Sequence, residues 1–154
     1  MSKYNKIAYF LISTIFFISF DVYFSELILN NLRYSFKSNP IIDLIFVQNT
    51  GAAFSIFENS QLFLIIFSIL ALLMLLIYAV KHIEKYSTIA SFWVAMLSAG
   101  IICNASERIF FGYVRDYFKL NFIDFPVFNI SDIFINIGVI AIIIIILRKT
   151  KYFS

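Results

Sequence analysis

Four apolar stretches, each close to the length that spans a bilayer, constrain this chain more than any other feature. A helix needs roughly 20 apolar residues to cross about 30 Å of hydrocarbon. Residues 7–24, 61–80 and 89–111 supply three such runs. The fourth ends at Leu147, and its purely apolar part from Ile133 covers only about 22 Å at ~1.5 Å per residue. It reaches spanning length if it begins near Val127, which draws Asn129 and Asp132 into its first turn. With 62% apolar and 14% charged residues, and a mean hydropathy of +0.92, a soluble globular enzyme, a disordered tail and a nucleic-acid binder are all excluded. The single cysteine, Cys103, excludes an internal disulfide or a cysteine-based metal cluster, and the single histidine, His82, excludes a multi-histidine site. The expectation is an α-helical integral membrane protein. Residues 1–154 form one membrane domain, with no metal, no cofactor and no nucleic-acid partner.

Basic residues orient the spans. With both termini and the 81–87 turn on one side, that side carries Lys3, Lys6, Lys81, Lys85, Arg148, Lys149 and Lys151 against Glu84 alone, a balance of +6. The other side balances to −3 and holds every remaining acid. The basic side is therefore read as cytoplasmic. Lys3 and Lys6 before an apolar run resemble the start of a signal peptide, but no small-residue cleavage site follows and three more spans do, so the segment is read as retained. Two regions connect spans on the outer face. Within residues 27–59, the β-branched segment 41–47 lies between Pro40 and Asn49-Thr50-Gly51 and reads as a short strand entering a turn. Residues 112–125 join the third and fourth spans.

Ionisable groups at membrane depth are costly, so their default reading is functional. Here they cluster. Asn104 and Arg108 share one helix face, and Asn129 and Asp132 share another. Asp116 lies just beyond the third span, so Asp116 and Asp132 both sit at the outer membrane boundary. Two neighbouring carboxylates do not both ionise easily, and a pair sharing one proton provides a base and an acid in one site. The base polarises a water while the acid protonates the carbonyl oxygen or leaving amine, the chemistry of aspartic proteases. Each residue also has an ordinary reading. Asp132 and Asn129 suit a helix N-terminus, Asp116 could pair with Arg115 or Lys119 in a solvated loop, Asp21 could be an interfacial residue, and Asn104 could join helices. Five polar residues at one depth favour the shared site.

Val47-Gln-Asn-Thr-Gly-Ala-Ala-Phe54 resembles the NTGAAF signature of signal peptidase II, the bacterial lipoprotein signal peptidase family. Asn104-Ala-Ser-Glu-Arg108 is similar to that family's GNxxDR, Gly112-Tyr-Val-Arg-Asp116 to its GxVxDF, and Phe128-Asn-Ile-Ser-Asp132 to its FNxAD. The motifs occur in the family's order, so the likeness covers the chain from about Asp21 to Leu147. The resemblance implies an intramembrane aspartyl endopeptidase with four transmembrane helices and a small extracytoplasmic β-rich cradle. It implies substrates that are prolipoproteins carrying diacylglyceryl on a cysteine, cut just before that cysteine. Asp116 and Asp132 would be the catalytic dyad. Asn49, Asn104, Arg108 and Asn129 would be the supporting polar shell and Asp21 the first-helix acid, with Gly51 letting the backbone approach closely. The expectation is a monomer in the bacterial inner membrane, with its active site on the extracytoplasmic face that the basic residues define.

The sequence departs from the family at several positions. Ser25 stands where lysine is usual, Cys103 where glycine is usual, Glu107 for aspartate, Ser131 for alanine, and Arg115 beside the first aspartate. These departures motivate an alternative, a paralogue that binds lipidated peptides but cleaves them poorly. A channel or transporter subunit is a further alternative, but a conducting path needs ionisable groups through the bilayer, and the second and fourth spans carry almost none. Asp124 rivals Asp116 for the first catalytic role; the spacing of Asp116 from Arg108, and Gly112 and Val114 before it, favour Asp116.

Overall fold

The computed structural model describes residues 2–52, 56–82 and 87–150. Ala53 and Phe54 of the NTGAAF-like stretch, Glu84 and Lys85 of the basic turn, and Lys151 lie outside the described residues. Among the described residues, four helices are long and apolar enough to span a membrane: α1 (Lys3–Leu27), α2 (Gln61–His82), α3 (Thr88–Phe111) and α4 (Ile130–Thr150). Serines open two of them. Ser2 accepts from the Asn5 N–H at the start of α1, and Ser87 from the Ala90 N–H at the start of α3, each satisfying a donor that a helix end leaves without a partner.

Helix α3 is the centre of the bundle and packs on all three others. Its buried surface is built from small residues, among them Ala95, Ser98, Ala99 and Gly100, which let backbones approach where lipid supplies no hydrophobic drive. The approach is tightest against α4. A Cβ at Gly100 would lie 2.6 Å from the Ser131 carbonyl oxygen, and one at Gly138 would lie 2.8 Å from Leu97 Cβ. Phe17 of α1 meets Phe92 of α3 and Phe134 of α4 edge-on at 5.2 and 5.1 Å, joining three helices in the core. By contrast α2 buries only Leu64 and Ala79, and much of its apolar surface is exposed, as at Leu62, Phe67, Met74 and Ile77.

The segments that join the spans differ from the sequence expectation in two ways. Residues 27–59 are not a cradle from their start, because the first helix continues through a π-helical turn (Ile28–Leu32) and one more helical turn (Arg33–Ser35). Ile28 and Leu29 are each 5% exposed and join the buried cluster of Tyr117 and Ile130, and burying two consecutive apolar side chains holds the chain helical. The sheet is also shared between the two connections. Strand β1 (Ile42–Asn49) pairs antiparallel with β2 (Val114–Leu120), the segment read from sequence only as a linker. An irregularity between Leu44 and Val47 shifts the register, after which Val47 faces Asp116 and Asn49 faces Val114. Gly112, at φ +79°, ends α3 in the left-handed conformation, and its N–H bonds the Arg108 carbonyl at 3.1 Å, turning the chain directly into β2.

Candidate active site

The start of α4 builds half of the site. Asn129 precedes the helix, and its side-chain oxygen accepts from the Asp132 N–H at 2.8 Å, while Asp132 Oδ2 accepts from the Asn129 N–H at 3.1 Å. This reciprocal arrangement is a capping box. The ordinary reading of this pair as helix-terminus residues is thus realised, but it does not use up the carboxylate. Asp132 Oδ1 accepts from Asn104 Nδ2 at 2.8 Å, and Asn104 Oδ1 accepts in turn from Asn129 Nδ2 at 3.0 Å. Asp132 is therefore held by its own helix turn and by α3 together.

Strand β2 builds the other half. Asp116 is 1% exposed, which discards the solvated-loop reading. The register sets Asn49 diagonally across the ladder from it, on the same face of the sheet. Asn49 Nδ2 donates to Asp116 Oδ2 at 2.8 Å, and Asn49 Oδ1 accepts from the Gly51 N–H at 2.9 Å, fixing the turn. The other Asp116 oxygen, Oδ1, is buried with no hydrogen-bond partner among the described residues. Burial pushes the Asp116 carboxyl up to about 7. The charges of Asp132 and Glu107 act in the same direction, and the Asn49 hydrogen bond and Arg108 oppose them.

Asp116 and Asp132 line one cavity of about 410 Å³ with Asn49, Asn104 and Arg108. The Arg108 guanidinium donates to carbonyl oxygens rather than to a carboxylate, reaching Gly51 O at 2.8 Å through Nη2 and Asn104 O at 3.3 Å through Nη1. It thereby ties the turn after β1 to α3. Asn129 supports the site from behind without lining the cavity. Asp21 is set apart. It is buried on α1 and accepts from the Ser131 hydroxyl at 2.8 Å, and it does not line the cavity. Asp124 is exposed in the connection after β2 and is likewise absent from the cavity wall.

The departures pair with one another. Arg115 turns away from the cavity to Glu26 on α1 at 2.6 Å and Glu107 on α3 at 2.7 Å, and Glu107 also accepts the Arg115 N–H at 2.6 Å. Ser25 meets the Tyr117 hydroxyl at 2.8 Å. Ser131 gives Asp21 its partner. Sequence reasoning missed Tyr117 and the wall residues Glu58 and Asn136. The signal available for Tyr117 was its place in the family motif GxVxDF, where phenylalanine stands; strand alternation, which turns a residue next to Asp116 to the opposite side, required knowing that residues 114–120 form a strand.

Comparison with known proteins identifies the family. The family described as Signal peptidase (SPase) II matches residues 13–148. The chain is 35% identical over 120 residues to a protein named lipoprotein signal peptidase from Streptococcus thermophilus (strain CNRZ 1066), covering 77% of this chain and 78% of that one. It is 38% identical over 113 residues to a protein of the same name from Latilactobacillus sakei subsp. sakei (strain 23K), covering 72% and 73%. Among solved structures, a bacterial membrane enzyme determined in meso at 2.3 Å superposes with a TM-score of 0.82 at 27% identity, over 96% of this chain and 93% of that one. A second, at 1.9 Å resolution, gives 0.77 at 29% identity over 92% and 94%. Two carboxylates in one cavity at the edge of a four-helix membrane bundle, within sequence motifs the family model spans, lead to one conclusion: the chain belongs to the signal peptidase II family of membrane peptidases.

Proposed function

We propose that this chain is an aspartic endopeptidase that removes the signal peptide from diacylglyceryl-modified prolipoproteins, cutting just before the lipidated cysteine. The observation that carries the reading is the convergence of Asp116 and Asp132, from a strand and from a helix, on one cavity in which Asp116 Oδ1 lacks a partner among the described residues. The names of the relatives support the substrate class. The aspartic mechanism rests on the side chains.

Asp116 holds the shared proton, in keeping with its raised pKa. Asp132, accepting hydrogen bonds on both oxygens, serves as the base. It takes a proton from a water whose oxygen attacks the scissile carbonyl, while Asp116 protonates the carbonyl oxygen. Collapse of the resulting gem-diol returns a proton to Asp116, and Asp132 delivers its own to the leaving amine, restoring the starting state. The substrate's acyl chains remain in the bilayer and hold the scissile bond at the outer boundary, lowering the barrier by positioning. Both termini face the cytoplasm and the cavity opens on the opposite face. The protein acts as a monomer, and no metal takes part.

The test is to incubate the purified protein in detergent with a diacylglyceryl-modified prolipoprotein and with its unlipidated form, and to read the products by mass. The reading predicts one cut, before the lipidated cysteine, in the lipidated substrate only and unaffected by chelator. A cut elsewhere, equal cutting of both forms, or loss of activity with chelator overturns it. Nothing observed favours the poorly cleaving paralogue or the channel.

A further inference from the structure

Tyr117 is the largest fully buried side chain among the described residues, at 0% exposure. It follows Asp116 on β2 and so projects from the opposite face of the strand, away from the cavity. Its hydroxyl accepts from the Ile130 N–H at 3.2 Å and shares a 2.8 Å hydrogen bond with the Ser25 hydroxyl of α1. Ile130 is the first residue of α4, and its N–H is one of the donors that a helix start leaves without an internal partner. Two residues later in the same turn stands Asp132. Backbone bonds add a second tie, since the Tyr117 and Phe118 N–H groups both reach Phe128 O, at 3.1 and 2.8 Å.

We infer that Tyr117 is a positioning residue, whose hydroxyl, anchored on Ser25, fixes the helix turn carrying Asp132 relative to the strand carrying Asp116. The inference rests on the aspartic-peptidase reading above. Asp116 and Asp132 come from different elements, and nothing in either element alone sets their separation. Sharing one proton between them requires that separation to be held, and the Tyr117 oxygen, joining β2, α1 and α4, adds the side-chain tie to the backbone bonds at Phe128. Burial pushes the Tyr117 hydroxyl up from its ordinary range, with the charges of Asp21 on α1 and Glu107 on α3 acting in the same direction, so the group stays neutral and acts through geometry. Ser25, a departure from the family's usual lysine, thus has a function in this chain.

The experiment measures kcat, KM and the pH profile of kcat/KM for wild type, Tyr117→Phe, Ser25→Ala and the double variant, on the diacylglyceryl-modified prolipoprotein, with Asp116→Asn as the inactive control. The charged groups facing the pair are Arg108 and Glu107 on α3 and Glu58 on the cavity wall, and none is altered. Misplacement of this kind predicts a fall in kcat of about tenfold or more for Tyr117→Phe, with KM within about twofold. The two limbs of the pH profile draw together as coupling between the carboxylates weakens. Ser25→Ala gives a smaller loss of about two- to threefold in the same direction, and the double variant matches Tyr117→Phe because both act through one oxygen. If Tyr117→Phe keeps the wild-type kcat and pH profile, whatever its melting temperature, Tyr117 is only a core residue and the inference is wrong. Should that variant fail to fold, Ser25→Ala decides: an unchanged kcat and profile also overturns it. Failure of wild type to cleave instead overturns the aspartic-peptidase reading itself.

Discussion

At the scale of single residues, Asp116 carries the sharpest consequence. Its carboxyl titrates near 3.8 without the protein environment and near 7 within it, so the folded chain binds this proton more tightly than the unfolded chain does. The associated stability is complete at low pH, below about 4, and is lost as pH rises through about 7. Melting in detergent is expected to show wild type losing stability between pH 5 and pH 8 by several degrees more than Asp116→Asn, since each kcal/mol corresponds to about 2–4 °C for a chain of this size. Parallel melting curves for the two proteins across that range would refute the burial argument. If Asp116 donates this proton in catalysis as proposed, kcat/KM is expected to show a descending limb near pH 7. Much of this site was legible beforehand. Asn49 entered only through the family resemblance, whereas Asn104, Arg108, Asn129 and the two aspartates stood out because polar groups at membrane depth are costly and are read as functional by default. Asp21 stood out for the same reason, but it pairs with Ser131 behind the site. Depth along a helix can be read from sequence, whereas the face of the helix depends on packing partners that a single sequence does not reveal.

At the scale of elements, the decisive contact is α3 against α4. Gly100 lies against the Ser131 carbonyl, one residue before Asp132, whereas Gly138 meets Leu97 nearly two turns further along α4. Both Gly100→Ala and Gly138→Ala are expected to destabilise by about 1–3 kcal/mol, the range for overpacking. Only Gly100→Ala also displaces the turn bearing Asp132, so it lowers kcat by about tenfold or more while Gly138→Ala retains most of it. Assays of folded protein, normalised by a melting or exclusion check, separate the two effects; equal kcat losses would contradict the assignment of Gly100 to the site. The strands were harder to read than the helices. The 41–47 segment announced β1, whereas β2 mixes Arg115, Asp116 and Lys119 with aromatic residues and lacks a clean alternation of exposure. Buried on both faces only around Asp116 and Tyr117, it owes its form to long-range pairing with β1 and to the bridge from Phe118 to Phe128.

At the scale of the whole molecule, the charge balance, the four spans and the position of the cavity argue for one orientation. On the proposed orientation, the basic residues at the termini and between the second and third spans lie on the cytoplasmic side and the cavity lies on the other. A fluorescent reporter that folds only in the cytoplasm, fused after Ser154, is expected to be bright, and the same reporter inserted near Asn121 in the exposed outer turn is expected to be dark. The reverse pattern would invert the topology and place the cavity on the wrong side for an exported substrate. The architecture as a whole was readable from hydropathy because lipid imposes span length directly. The continuation of the first helix to Ser35 was not, since it depends on Ile28 and Leu29 finding the core around Tyr117.

The central claim is that Asp116 and Asp132 act together as the catalytic pair. Its most direct test is kcat/KM for Asp116→Asn and Asp132→Asn, each shown to be folded, on a diacylglyceryl-modified prolipoprotein. Removing either member of an acid–base pair is expected to cost at least about 10³-fold, with lipidated substrate still bound. Retention of activity within about tenfold of wild type by either folded variant would contradict the account.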